Sequence, residues 1–193
     1  MLTQIHSRSI CTTLVFGLLV VDTMSAISQA AQSQGIDLSG RWELNREASE
    51  NAQSKLETMQ ASSGSGHRPP AGMHGLGRLF GGQDSAEEAR KLFLSRPTSF
   101  TVRQDGERVE LSESNGRVRV LRANGQMQNV EGRDVRTRWD GRRLVSEVAL
   151  GNAKVTETFD RVTNAAQLSV TTRLNLQGNE VSVRRVYDLE SAR

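Results

Sequence analysis

The 193-residue sequence has one cysteine, Cys11, and it lies in an apolar run near the start. No intramolecular disulfide can form, and beyond that run there is no thiolate to bind a metal or attack a substrate. Only three histidines occur. Two of them, His67 and His74, flank Met73 in a glycine-rich stretch, so neither sits on a rigid element that could orient a catalytic base. No serine stands in Gly-x-Ser-x-Gly, and a hydrolase triad therefore lacks both its elbow and its base. Gly-His-Arg-Pro-Pro and Gly-Leu-Gly-Arg have no strand leading in and no Lys-Ser/Thr following, which excludes a phosphate loop. Charge of one sign is not concentrated: the formal net charge is +3 and both signs are interspersed, with no polybasic arm. That pattern speaks against nucleic acid and against a membrane surface as partners. Imidazole and thioether suit copper or nickel, but His67, Met73 and His74 have no carboxylate or thiolate beside them. No metal and no cofactor are expected.

Long hydrophobic runs are also missing. Ile10 to Val21 is the longest, interrupted by Thr12, Thr13 and Gly17, and it falls short of the roughly 20 residues of a comfortable span. Arg8 precedes it, and Ser28-Gln29-Ala30 comes after it with small residues at −3 and −1. This is the layout of a secretory signal peptide, residues 1–30, cleaved after Ala30. Asp22 opposes the competing reading of a retained anchor, and Cys11 lies inside the run instead of at the cleavage point, which opposes a lipoprotein. The expected location is periplasmic or secreted, with no stable membrane span after cleavage. The remaining 31–193 is enough for one domain with its own core.

What is present falls into three textures. Leu38, Trp42 and Leu44 share a parity, which predicts a short strand over 38–45. Residues 47–60, without glycine or proline and with Ala48, Ala52 and Leu56 four apart, predict a helix. Residues 61–83 hold two of the three prolines and many glycines. They cannot bury enough apolar surface to offset chain entropy, which predicts a flexible loop. Asp84 to about Leu94 predicts a second helix, acidic at its start and stopped by Pro97. The insert thus spans 47–97. Its second helix, with Leu76, Leu79 and Phe80 upstream, is too apolar to float free. It should cover either the mouth or a flank of the strands that come after it.

From Thr98 to Leu189 the period is two, punctuated by Asp105-Gly106, Asn115-Gly116, Asn124-Gly125, Asp140-Gly141 and Gly151-Asn152, which suit tight hairpin turns. This predicts about eight strands plus the one at Trp42. They form an antiparallel meander, since no gap can hold a crossover helix, and closure into a barrel would remove its unpaired edges. The inward face should carry Phe100 and Val102, Val109 and Leu111, Val118 and Val120, and Val135, Thr137 and Trp139. It continues with Leu168, Val170, Thr172 and Leu174, then Val181, Val183 and Tyr187. The strand at 143–150 is ambiguous between its two faces.

Gly40 lets the chain turn in tightly, and the Trp42 indole is large enough to plug one end of a small barrel. By parity with Val183 and Tyr187, Arg185 points inward and is the candidate to stack on that indole. Gly-x-Trp on the first strand with an arginine on the last resembles the lipocalin and calycin signature. Nearly all of 38–189 more closely resembles an uncharacterised group of exported bacterial proteins. The residues that carry this are Leu38-Ser39-Gly40-Arg41-Trp42-Glu43-Leu44-Asn45, Arg138-Trp139-Asp140-Gly141, Lys154-Val155-Thr156-Glu157-Thr158-Phe159, Val170-Thr171-Thr172-Arg173-Leu174 and Arg184-Arg185-Val186-Tyr187-Asp188. The resemblance implies export and a lipocalin-like barrel, and it brings no catalytic residues. The long insert after the first strand departs from true lipocalins.

Two further constellations read as ordinary surface. Glu147 and Glu157 could face each other on one hairpin as an acid–base pair, but as outward residues they pair with Arg138, Lys154 or Arg173. Arg117, Arg119, Arg136 and Arg138 form an outward stripe without interleaved aromatics. No enzyme is expected. The favoured reading is an exported barrel of unknown activity binding a small apolar ligand in a lumen lined by Phe100, Val102, Val118, Val120, Trp139, Val170 and Tyr187. The alternative is a cell-envelope structural or interaction module that meets a protein partner through the helix-loop-helix insert.

Overall fold

The turn residues and the alternation between them produce ten antiparallel strands. The computed structural model describes residues 36–63, 82–95, 97–162 and 165–190. The signal peptide expected over residues 1–30 and the glycine-rich segment from 64 to 81, with His67, Met73, His74, Leu76, Leu79 and Phe80, lie outside the described residues. The described residues all belong to the unit Ser33–Arg193.

Strand β1 (Gly40–Asn45) leads to helices α1 (Ala52–Ser63) and α2 (Gly82–Leu94). A meander completes the chain: β2 (Ser99–Asp105), β3 (Arg108–Glu113), β4 (Val118–Arg122), β5 (Asn124–Val130), β6 (Arg133–Asp140), β7 (Arg143–Leu150), β8 (Ala153–Val162), β9 (Gln167–Leu176) and β10 (Asn179–Leu189). The strand order is β4-β3-β2-β1-β10-β9-β8-β7-β6-β5. β1 therefore bridges the two ends of the meander, with Trp42 opposite Phe100 on β2 and Leu189 on β10. The sheet is a nearly closed barrel. Its two edges, β4 and β5, are joined through Ala123 alone.

The tenth strand, β5, is the one the alternation does not predict. Asn124-Gly125 reads in sequence as a hairpin turn, and Gly125 does take φ 73°. It does so inside β5, where the register against β6 shifts between Asn124 and Met127. The resulting bulge bends the chain from β4 into β5 without pairing the two. β5 is an edge with no fully buried residue, so no period-two signal marks it.

The helices start and pack for local reasons. Expected from residue 47, α1 begins at Ala52, because Asn51 caps it: Asn51 Oδ1 accepts the backbone N–H of Gln53 at 2.9 Å and of Ser54 at 3.2 Å. The preceding residues are committed to β10 instead. Glu50 N–H donates to the Arg184 carbonyl at 2.9 Å, and Val186 N–H donates to Ser49 Oγ at 2.9 Å. α2 buries Ala89 and Phe93 against Leu150, Val155 and Leu174, and α1 adds Ala52 and Leu56 beside Val181 and Val183. Val155, Leu174 and Val183 belong to the inward faces of their strands, so the helices cover the mouth of the barrel and not a flank.

The opposite end is plugged by Trp42, which is 0% exposed. Its Nε1–H donates to the Leu38 carbonyl at 2.9 Å, and Leu38, Phe100, Leu144, Phe159 and Leu168 pack in the same cluster. Gly40 has φ 141°, a conformation that side-chain-bearing residues rarely adopt, so the tight entry needs glycine; a Cβ there would also push aside the tip of Leu189, 2.6 Å away. The expected pairing of Arg185 with Trp42 is not what forms. The cation over the indole is Arg161 of β8, with Cζ 5.6 Å from the ring centroid. Arg161 also donates from Nη1 to the Asp37 carbonyl at 2.6 Å. Parity places Arg185 inward but does not set its depth, and its guanidinium reaches toward the helix end.

Candidate functional site: a cavity behind the unpaired edges

Where β4 and β5 part, the interior opens into a cavity of about 550 Å³. Leu92 and Ser95 of the α2 end, with Pro97, form its roof; Val118, Val120 and Leu121 come from β4, Gln128 and Val130 from β5, and Val135 from β6. Ser146, Val148, Val155 and Glu157 form the far wall. Val118, 54% exposed, and Val130, 36% exposed, mark the rim facing solvent. A concave site of this size, in which valines and leucines alternate with polar and charged side chains, can hold a small molecule.

A charged trio sits in that wall. Arg119 Nε lies 2.9 Å from Glu113 Oε1, and Arg119 Nη1 donates to Glu157 Oε2 at 2.5 Å. The side chains are 21%, 3% and 19% exposed for Arg119, Glu113 and Glu157. Burial works against the charge on Arg119, but the Glu157 and Glu113 carboxylates outweigh it and hold its pKa above the ordinary arginine value. Asn115 Nδ2 adds a hydrogen bond to Glu113 Oε2 at 3.2 Å.

Strand register explains why alternation alone misses this trio. Leu111 of β3 faces the core, and Arg119 lies directly across from it, as Leu121 lies across from Val109. Arg119 and Leu121 therefore take the inward positions that the alternation assigns to Val118 and Val120, and Arg119 leaves the outward stripe. The two valines still line the cavity, because both faces of an edge strand can border the gap. Glu157 pairs across from buried Ser146, whereas Glu147 pairs across from Thr156 and turns out to Arg138 at 3.7 Å. The two glutamates thus lie on opposite faces and form no acid–base pair.

The other residues expected to line a lumen are packed instead. Phe100, Val102, Val170 and Tyr187 belong to the core cluster on the Trp42 side, with Trp139 against it. The Phe100 and Tyr187 rings meet edge to face at 4.8 Å. The lower barrel is filled by side chains, and the open volume lies above it and to one side.

Behind the cavity wall a second polar group ties α2 to the barrel. Arg185, 2% exposed, donates from Nη2 to the Phe93 carbonyl at 2.8 Å and from Nη1 to Thr172 Oγ1 at 3.1 Å. Tyr187 Oη donates to the Pro97 carbonyl at 3.4 Å. Burial pushes the Tyr187 phenol up to about 12; Arg185 and Arg119 pull it down by less, and Glu157 and Glu113 add to the rise. On the outer side, Arg133 of β6 meets Glu88 of α2 at 2.6 Å. The roof of the cavity is therefore pinned from within and without.

Among the described residues, no cluster of three or more His, Cys, Asp or Glu could hold a metal ion, and no helix is long and apolar enough to cross a membrane.

No family model matches the chain, and no curated protein matches it. Several solved structures are loosely similar. A secretary abundant heat soluble protein from Ramazzottius varieornatus is 12% identical, with a TM-score of 0.47 over 82% of this chain and 99% of that one. Fatty-acid-binding protein 1 of Echinococcus granulosus is 11% identical, with a TM-score of 0.45 over 80% and 98%. The zebrafish ileal bile acid-binding protein, solved with cholic acid, is 10% identical, with a TM-score of 0.43 over 79% and 98%. At such scores the likeness carries no argument about what this chain does.

Proposed function

We propose that this chain is an exported binding protein that holds a small, mainly apolar molecule in the cavity between β4, β5 and the α2 end. The observation that carries the reading is the contrast inside one barrel. The Trp42 side is filled by side chains, while about 550 Å³ stays open behind the only unpaired edges among the described strands. The walls mix valine and leucine, which favour an apolar body, with charged side chains paired among themselves, and Gln128 and Ser146 can orient a polar end. The leader before residue 31 supports export.

The test is solvent extraction of purified protein followed by mass spectrometry, compared with Val148→Trp, which fills the cavity from its far wall. A co-purifying lipid-like molecule present in the parent chain and absent from V148W is the expected result. A molecule retained equally by both, or none in either together with no uptake of added dodecanol, overturns the proposal.

A further inference from the structure

Resting on that reading, we propose that the cavity selects an uncharged amphiphile, such as a long-chain alcohol, amide or ester, over both fatty acids and alkylamines. Charge decides the selection. Two guanidiniums and two carboxylates are enclosed beside the cavity: Arg119 and Arg185, Glu113 and Glu157. Arg119 is gripped by both carboxylates, at 2.9 Å and 2.5 Å. Arg185 is held by the Phe93 carbonyl and Thr172. Arg185 is 2% exposed behind the wall that the trio lines, and the formal charge of the four enclosed groups sums to zero.

A charged head entering this group brings a charge with no counter-ion left to meet it. A ligand carboxylate must displace Glu113 or Glu157 from Arg119 and strand it in the wall. An ammonium must compete with Arg119 for carboxylates already engaged. Either way an ion is buried without a partner, which is far more costly than burying a hydroxyl or amide that finds hydrogen bonds. The rim obeys the same rule. Glu131 lies 3.8 Å from Arg117 and 3.5 Å from Arg133, which also meets Glu88, and Arg108 meets Glu110 at 2.8 Å. Arg122, the remaining lining cation, is exposed and screened by water.

Neutral hydrogen-bonding groups are on offer instead. The half-buried Gln128 side-chain amide lines the cavity and hydrogen-bonds to no described residue. Ser146 Oγ accepts from Thr137 Oγ1 at 3.1 Å, which leaves its own proton to donate. A head that both donates and accepts fits this pair.

The experiment compares three probes with one tail, dodecanol, dodecanoate and dodecylammonium, each below its micelle concentration, by equilibrium dialysis against the full chain at neutral pH. Dodecanol should bind at least about tenfold more tightly than either ion. Glu157→Gln, which leaves the enclosed group with one surplus positive charge, should raise the ratio of dodecanoate to dodecanol affinity about tenfold. Glu113→Gln serves as the second variant should E157Q fail to fold. If either ion binds the parent chain as tightly as dodecanol, or the glutamine variants gain nothing for dodecanoate relative to dodecanol, the selectivity is overturned, while the cavity reading survives so long as binding is lost in V148W. If no probe binds, or V148W binds them all unchanged, both fall.

Discussion

The two ends of the barrel are built from the same alternating strands and do opposite things with them. At the Trp42 end, strands from both halves of the chain converge, β1 is paired on both sides, and apolar residues meet with no enclosed ion pair among them. At the helix end, two strands stop pairing, an arginine takes a core position, and the space is roofed by a helix instead of being filled. The difference lies in pairing. A strand hydrogen-bonded on both sides has one inner face to satisfy, and apolar residues satisfy it. An edge strand can admit a charge because solvent and a cavity lie alongside it.

Variants can break this contrast at either end. Trp42→Ala should cost about 3–5 kcal/mol, as buried tryptophan truncations do, measured by chemical denaturation. A loss below about 1 kcal/mol would mean the plug is dispensable.

Tyr187 lies between the ends, and its phenol is raised from 10.0 to about 12. The native state therefore keeps a proton that the unfolded chain gives up from about pH 10, so stability falls as pH rises above 10. Over that shift the loss approaches about 2–3 kcal/mol. As Tyr187 is the single tyrosine, tyrosinate absorbance reports it directly. The expected outcome is no signal near pH 10 and a rise only as the fold is lost.

Arg119→Met should cost about 1–3 kcal/mol. This is less than for a fully buried pair, because 21% of the side chain meets solvent. The loss should shrink when Glu113→Gln is added, because one of the two carboxylates left facing each other is then neutral. A loss unchanged in the double variant would show that Arg119 acts by packing alone. The smallest effect belongs to Arg41→Ala. Arg41 meets Glu190 at 2.6 Å near the plugged end, but both side chains are about half exposed or more, so its loss should stay below about 1 kcal/mol in urea denaturation.

Most of the barrel is legible in the sequence because alternation and turn dipeptides are local. Phe100 and Val102, Val109 and Leu111, and the whole of β9 declare their inner faces within a few residues. The plug is legible too, since a tryptophan beside a tight glycine has few other uses. Three things are not. β5 buries nothing fully and so carries no pattern. The partner of Trp42 is Arg161 and not Arg185, because parity gives a direction but no depth. The Arg119 trio depends on which residue of β4 stands across from Leu111, a matter of register set by the Asn115-Gly116 turn and the edge position of β4. Val118 and Val120 look like the inner pair in sequence, and only the pairing shows that Arg119 and Leu121 hold those places.

The bridging position of β1 has a temporal consequence. Asn45 hydrogen-bonds Asp188 across a separation of 143 residues, and Trp42 needs Leu189 across from it. Until β10 emerges, the indole has a neighbour on one side only, and an apolar seam stays exposed. Assembly of this end must wait for β10, which places the domain among slow, non-local folders that close in milliseconds to seconds. Trimming the last strand would leave a product that collapses but never seals.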